Sequence, residues 1–225
     1  MKTPQIICLL ALAASGACAS TQGFFVSGNV GGVFQSGNHV YISDSGREGK
    51  QNLKSFGAAA GASVGYLHET AGAKLIFGGE VFGAITTLNA KKDLHVKDGV
   101  LEGKVGIKPK NFFGAAILAG MPINPRVILY GRLGYEFNRF AFDYSNLTFQ
   151  TPTVEKYNKT LKGLAPGAGA LYKLTDKLIF GAEYVFSLEG KVKLRDDKAP
   201  INGAKRGYVF SGHAQRLMAR LIYVF

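Results

Sequence analysis

A chain of 225 residues with 30 glycines, 47% hydrophobic residues and a formal net charge of +12 is long enough for one domain that buries a core or closes a barrel. A mean hydropathy of +0.08 argues against a disordered polyelectrolyte, and past the amino-terminal segment no stretch holds the roughly 20 apolar residues of a spanning helix. The positive charge comes with no nucleic-acid-binding motif, so nucleic acid is not expected as a partner.

The amino-terminus reads MKTPQIICLLALAASGACAS: a lysine, an apolar run over 6–14, then small residues with Ala17 and Ala19 at the minus-three and minus-one positions. This pattern predicts a secretory signal peptide over 1–19, cleaved before Ser20. Both cysteines, Cys8 and Cys18, fall inside it, so the exported chain is expected to carry no disulfide and no thiol chemistry. Making Cys18 a lipidated first residue would require an aliphatic residue where Ser15 stands.

After export the chain alternates apolar and polar residues in short runs. GFFVSGNVGGVFQ, 23–35, sets Phe24, Val26, Val30 and Phe34 against Ser27, Asn29 and Gln35. Residues 36–54 lose the alternation and are expected to loop; 55–68 resumes it with Phe56, Val64 and Tyr66 opposite a face of glycine, alanine and serine. A short turn over 69–73 leads to a third strand with Leu75, Phe77, Val81 and Ile85 on one face and Glu80 on the other. A second polar segment, 89–110, precedes NFFGAAILAGM, which is apolar on both faces and leaves its facing open. Pro122 to Pro125 predicts a tight turn into RVILYGRLGYEF, where Val127, Leu129, Leu133, Tyr135 and Phe137 oppose Tyr130, Arg132 and Glu136. A third loop is expected over 143–162, then GLAPGAGALYKL, a turn at 175–177, and LIFGAEYVFSLEG, where Phe180, Tyr184 and Phe186 oppose Glu183 and Ser187. A fourth loop, 189–207, leads to the final strand, RLMARLIYVF, which puts Leu217, Leu221, Tyr223 and Phe225 on one face and Arg216 and Arg220 on the other.

Eight strands joined by alternately long and short connections predict an all-β fold: an eight-stranded, antiparallel, up-and-down transmembrane barrel over 20–225, with the aromatic face toward lipid and both termini on the periplasmic side. A soluble lipocalin-like barrel would turn its large apolar residues inward instead. ILYGRLGYEF at 128–137, LAPGAGALYKLTDKLIFGAEYVF at 164–186 and the terminal RLIYVF resemble the OmpA-like family of small outer-membrane barrels, which includes surface antigens and opacity-type adhesins. That resemblance implies residence in the outer membrane, a non-enzymatic surface role, and an assembly signal for the barrel-assembly machinery at Leu221, Tyr223 and Phe225. The chain stops at the last strand, so the peptidoglycan-binding domain of full-length OmpA, and a cell-wall tether, are not implied.

Counted from the turns, Glu80, Arg132, Glu183 and Arg220 fall at one height of the inner face, and Glu136 with Arg216 at a second. Paired acids and arginines can satisfy one another where any one alone would be costly, so these six are expected to fill the lumen as a charge network. The alternative is a gated ion pathway in a small porin, but eight strands leave an interior only wide enough for side chains. The four expected loops hold eighteen Lys and Arg against ten Asp and Glu. Such loops, with Lys91, Lys92, Lys193 and Arg195 in them, suit outer-membrane lipid and lipopolysaccharide, or a host-surface or anionic glycan ligand, met by a monomer. Ser211 and His213 share the outward face of the last strand, a pairing that a lipid A-modifying enzyme could use. No carboxylate follows on that face, where Gln215 and Leu217 stand, so no catalytic residue is expected. His39 and His95, in expected loops, and His68, at a strand end, lack metal-ligand spacing; no metal site or cofactor is expected.

Overall fold

The computed structural model describes residues 22–42, 48–70, 75–95, 101–146, 153–195 and 207–225; the expected signal peptide lies outside them. Every regular element among these residues is a strand: β1 Gly23–Ile42, β2 Glu48–Glu69, β3 Ile76–Thr86, β4 Ala90–His95, β5 Leu101–Pro122, β6 Val127–Asn146, β7 Thr153–Lys173, β8 Leu178–Glu189, β9 Val192–Arg195 and β10 Gly207–Val224. All pairings are antiparallel; successive strands pair except that β3 pairs with β5 and β8 with β10, and β1 against β10 closes the ring, from Phe25 opposite Val224 to Ile42 opposite Gly207. The short β4 and β9 add no staves to the wall. After a break at 87–89, β4 continues β3 along the upper half of β5, and after 190–191, β9 continues β8 along the top of β10. The barrel therefore has eight staves; over its lower half closure removes the unpaired edges that an open sheet would expose, while above it, among the described residues, β4 pairs with β5 alone and β9 with β10 alone.

Residues 70 and 75, joined by Thr70 N donating to Leu75 O at 2.9 Å, and the connections 123–126 and 174–177 lie at one end with residues 22 and 225. Side chains build these turns. Asn124 Oδ1 accepts from the backbone amides of Arg126 (2.9 Å) and Val127 (2.8 Å), and Thr175 Oγ1 accepts from Leu178 N (3.0 Å). The facing left open for 111–121 is settled by its neighbours: Phe112, Ala116 and Leu118 point inward, while Phe113, Ile117 and Met121 point out.

Outside, an apolar belt runs around the wall, bounded by rings on both rims: Phe24, Tyr66, Tyr172, Tyr223 and Phe225 at the turn end, Phe56 and Phe113 at the other. The stretch 127–137, at about 3.3 Å per residue and a tilt of roughly 40°, rises about 25 Å, the height of an outer-membrane apolar band.

The expected loops need correction. β1, β2, β5, β6 and β7 are 20 to 22 residues long, against the roughly 9–11 needed to cross a bilayer, so much of 36–54, 89–110 and 143–162 is strand standing above the belt, and within 189–207 the described strand includes β9. His39 and His95 accordingly lie in β1 and β4 and not in loops. The physical reason is an inversion of the apolar face. Phe137 faces out but Phe140 and Phe142 face in; Phe56 out but Leu53 in; Leu164 out but Leu161 in; Leu217 out but Phe210 in. Beside lipid the wall turns its apolar residues outward, and above it the wall surrounds its own core. That upper core joins Leu53, Ile107, Phe140, Phe142, Leu161 and Phe210, with the three phenyl rings 5.6 to 6.0 Å apart. A second apolar cluster, including Phe25, Leu67, Ile128, Leu171 and Ile222, fills the turn end.

Candidate functional site

Between these apolar layers the lumen is charged, because the inward positions of β3, β6, β8 and β10 carry acids and arginines. Arg220 on β10 reaches across the lumen: Nη2 lies 2.5 Å from Glu80 Oε2 and 3.1 Å from Ser63 Oγ, and Nη1 lies 3.0 Å from Glu183 Oε2. Arg132 on β6 donates from Nε to Glu80 Oε1 at 3.0 Å and stands 3.8 Å from Glu183. Four of the expected residues thus meet in one layer.

Neutral side chains that sequence reasoning did not assign complete it. Tyr130 Oη donates to Glu183 at 2.7 Å, Ser63 Oγ to Glu80 at 3.1 Å, and Ser63 and Ser27 hydroxyls are 2.7 Å apart. The signal was present, since Tyr130, Ser27 and Ser63 have the inward parity of their strands, but hydroxyls mark no charge.

One level up, Glu136 is wholly buried, bonded to Arg216 Nη2, and accepts from Ser187 Oγ at 3.0 Å. Arg132 Nη1, 3.9 Å from Glu136, links the two levels. Phenylalanines face both guanidiniums on this side: Arg132 lies 4.3 Å from the Phe82 ring centre and Arg216 4.1 Å from that of Phe112. Higher still, Glu189 accepts from Gln35 Nε2 (2.7 Å) and Asn138 Nδ2 (3.3 Å), a neutral pairing for the acid nearest the upper core. The space left among Asn29, Glu80, Phe82, Arg132, Glu136 and Arg216 is about 30 Å³, room for one or two waters. Such an interior can hold charge and resist collapse: Glu80, Glu136 and Glu183 are tied to arginines and hydroxyls, and Glu189 to two side-chain amides.

Ser211 and His213 face outward on β10. Across the strand pairs Ser211 meets Asn38, and His213 meets Ser36 and Leu188, with its ring 5.4 Å from the Phe186 ring; none of these is an acid that could orient the imidazole. Among the described residues no group of three or more potential ligands is placed to hold a metal ion. At the turn end, Arg126 donates to Tyr172 Oη at 3.4 Å, and that bond, with the attraction to the phenol oxygen, holds its guanidinium above the ordinary range.

Of the expected basic loop residues, Lys91 is exposed on β4. Lys92 lies in β4, and Lys193 and Arg195 in β9, with side chains outside the described residues. Leu221, Tyr223 and Phe225 line the outer face where β10 meets β1, with Phe225 N donating to Phe24 O at 2.9 Å and the Tyr223 and Phe225 rings 5.2 Å apart.

A comparison with curated proteins finds no match. Among solved structures the chain is similar to the outer membrane protein OprG of Pseudomonas aeruginosa, at 14% identity and a TM-score of 0.52 over 90% of this chain and 97% of that one. It is similar to the outer membrane protease OmpT of Escherichia coli, at 10% identity and a TM-score of 0.52 over 90% and 97%. It is also similar to the neisserial surface protein A, at 16% identity and a TM-score of 0.45 over 94% and 100%. At these identities the likeness bears on fold alone. Residues 6–204 match the model of the outer membrane protein beta-barrel domain. A closed wall of eight staves, an apolar belt of bilayer height and that match lead to one conclusion: the chain belongs to the outer membrane protein beta-barrel domain family, and its place is the outer membrane.

Proposed function

We propose that this protein is a non-enzymatic, non-conducting surface barrel that supports the outer membrane and carries a basic palisade of strands outside the cell for contact with anionic partners. The observation that carries the reading is the filled lumen. Among the described residues, apolar side chains occupy the turn end, ion pairs the middle and phenylalanines the top, which argues against an aqueous path along the axis. The short turns then face the periplasm and the tall strands the exterior, the usual asymmetry of such barrels.

The residues above the belt carry the excess of positive charge, which favours lipopolysaccharide and anionic glycans by screened Coulomb attraction. Among the described residues, the cross-strand partners of Ser211 and His213 include no acid, which favours the non-enzymatic part of the reading. Adhesion measured with whole cells or an immobilised sulfated glycan should weaken with salt and on charge reversal at Lys91, Lys92, Lys193 and Arg195; salt-independent binding contradicts it. Purified barrel in a planar bilayer should show no steady conductance. A large, stable, ion-selective current would replace this reading with that of a small porin.

A further inference from the structure

The outer wall of β5, β6 and β7, just above the upper rings, carries a feature that a regular strand would not produce. Phe112 faces the lumen, and so does Ile107 five positions on, although an odd separation should put two residues on opposite faces. The register explains it. Pro109 stands opposite Phe140 and Asn111 opposite Arg139, so Lys110 is a bulged residue without a cross-strand partner. The bulge is pinned by Thr86 Oγ1, which donates to Pro109 O at 2.8 Å. Its effect is to bring Lys110 outward, where regular alternation from Phe112 would have aimed it into the barrel. There Lys110 Nζ donates to Asn158 Oδ1 at 3.4 Å.

Two more cations converge on the same patch. Phe113 and Phe137 stack at 5.2 Å on the outer surface, with the Arg139 guanidinium 5.8 Å from the Phe113 ring centre and Lys162 Nζ 5.5 Å from that of Phe137. Phe137 pairs with Lys162 and Arg139 with Thr160, so Lys162 and Arg139 are diagonal neighbours with the exposed Thr160 hydroxyl beside them. Lys110, Arg139 and Lys162 are all exposed, and the acid nearby on this wall, Asp143, is engaged by Lys108 at 3.5 Å.

We propose that Lys110, Arg139 and Lys162 bind the phosphate of a phosphorylated lipid in the surrounding leaflet, with the stacked Phe113 and Phe137 rings at its base. A guanidinium fork between two ammonium groups suits a phosphate dianion. The site opens downward onto the apolar belt at Ile117, Leu133 and Leu164, where acyl chains continue from the same molecule; this selects a lipid over a free anion. The inference rests on the tall strands standing outside the membrane, and it places part of the recognition on the lipid-facing wall and not at the strand tips.

The test uses detergent-refolded full barrel and native mass spectrometry, with diphosphoryl lipid A, the same lipid stripped of its phosphates, and inorganic phosphate as competitor. The variant Lys110→Gln/Arg139→Gln/Lys162→Gln is compared with Arg126→Gln/Lys173→Gln/Lys177→Gln, which removes the same charge at the turn end. The first should bind diphosphoryl lipid A at least about tenfold more weakly and the second as tightly as the parent. Dephosphorylated lipid should bind weakly to all three, and millimolar inorganic phosphate should not displace the intact lipid. Equal binding by the first variant, or indifference to the phosphates, overturns the site; displacement by inorganic phosphate makes it a free-anion site. If the triple variant fails to refold, Arg139→Gln alone should still weaken binding several-fold, and unchanged binding refutes the proposal. Flotation with lipid vesicles checks the membrane placement separately, since a barrel that inserts yet ignores the three residues refutes the site alone.

Discussion

Arg220→Met removes the residue on which the central layer converges while keeping much of the packed stem. In the parent its guanidinium serves Glu80 at 2.5 Å, Glu183 at 3.0 Å and Ser63 at 3.1 Å, all buried. After the change two carboxylates share one cation, Arg132, which is 3.0 Å from Glu80 but 3.8 Å from Glu183 and cannot bond closely to both. Leaving a buried carboxylate short of its partner costs about 3–5 kcal/mol. The loss should be read from urea titration of refolded barrel, following the mobility difference between boiled and unboiled samples. Adding Glu80→Gln removes one of the stranded charges, so the double variant should be more stable than the sum of the single losses implies, by about 1–3 kcal/mol. An Arg126→Ala control at the exposed turn should leave the midpoint where it was. A loss for Arg220→Met below about 1 kcal/mol, or additivity within about 0.5 kcal/mol, would refute the idea that the lumen is held by these pairs.

Phe142→Ala tests the upper core. The side chain is fully buried against Phe140 and Phe210, so its removal should cost about 3–5 kcal/mol and make the tops of the strands accessible to protease while the belt stays protected. Unchanged protease resistance would mean that the strands above the membrane have no core of their own. Deleting Phe225 removes one backbone bond to Phe24 and a ring on the outer face, so refolded barrel should lose only about 1 kcal/mol. If Leu221, Tyr223 and Phe225 form the recognised assembly signal, the level in the outer membrane of cells should nonetheless fall several-fold, and normal levels would count against that role.

The sequence by itself determined the fold class, because strand periodicity is local. Alternation places Leu217, Leu221, Tyr223 and Phe225 on one face and Arg216 and Arg220 on the other, and the short turns with their Asn124 and Thr175 side chains join the strands in antiparallel pairs. Counting along strands also assigns Glu80, Arg132, Glu183 and Arg220 to a common height. Which acid meets which arginine is another matter, since Arg220 reaches Glu80 across the lumen and Tyr130 caps Glu183, contacts set by curvature and tilt that no spacing encodes. The extent of the strands was hidden for a related reason. A period of two says that two faces differ but not which is inside, so the inversion from Phe137 outward to Phe140 and Phe142 inward read as the end of a strand. The bulge at Lys110 likewise moves its side chain to the outer wall without leaving a mark in the pattern. Only closure of the ring, with lipid outside one half and water outside the other, decided those sides, because the cost of burying or exposing each face depends on the medium that the assembled wall meets.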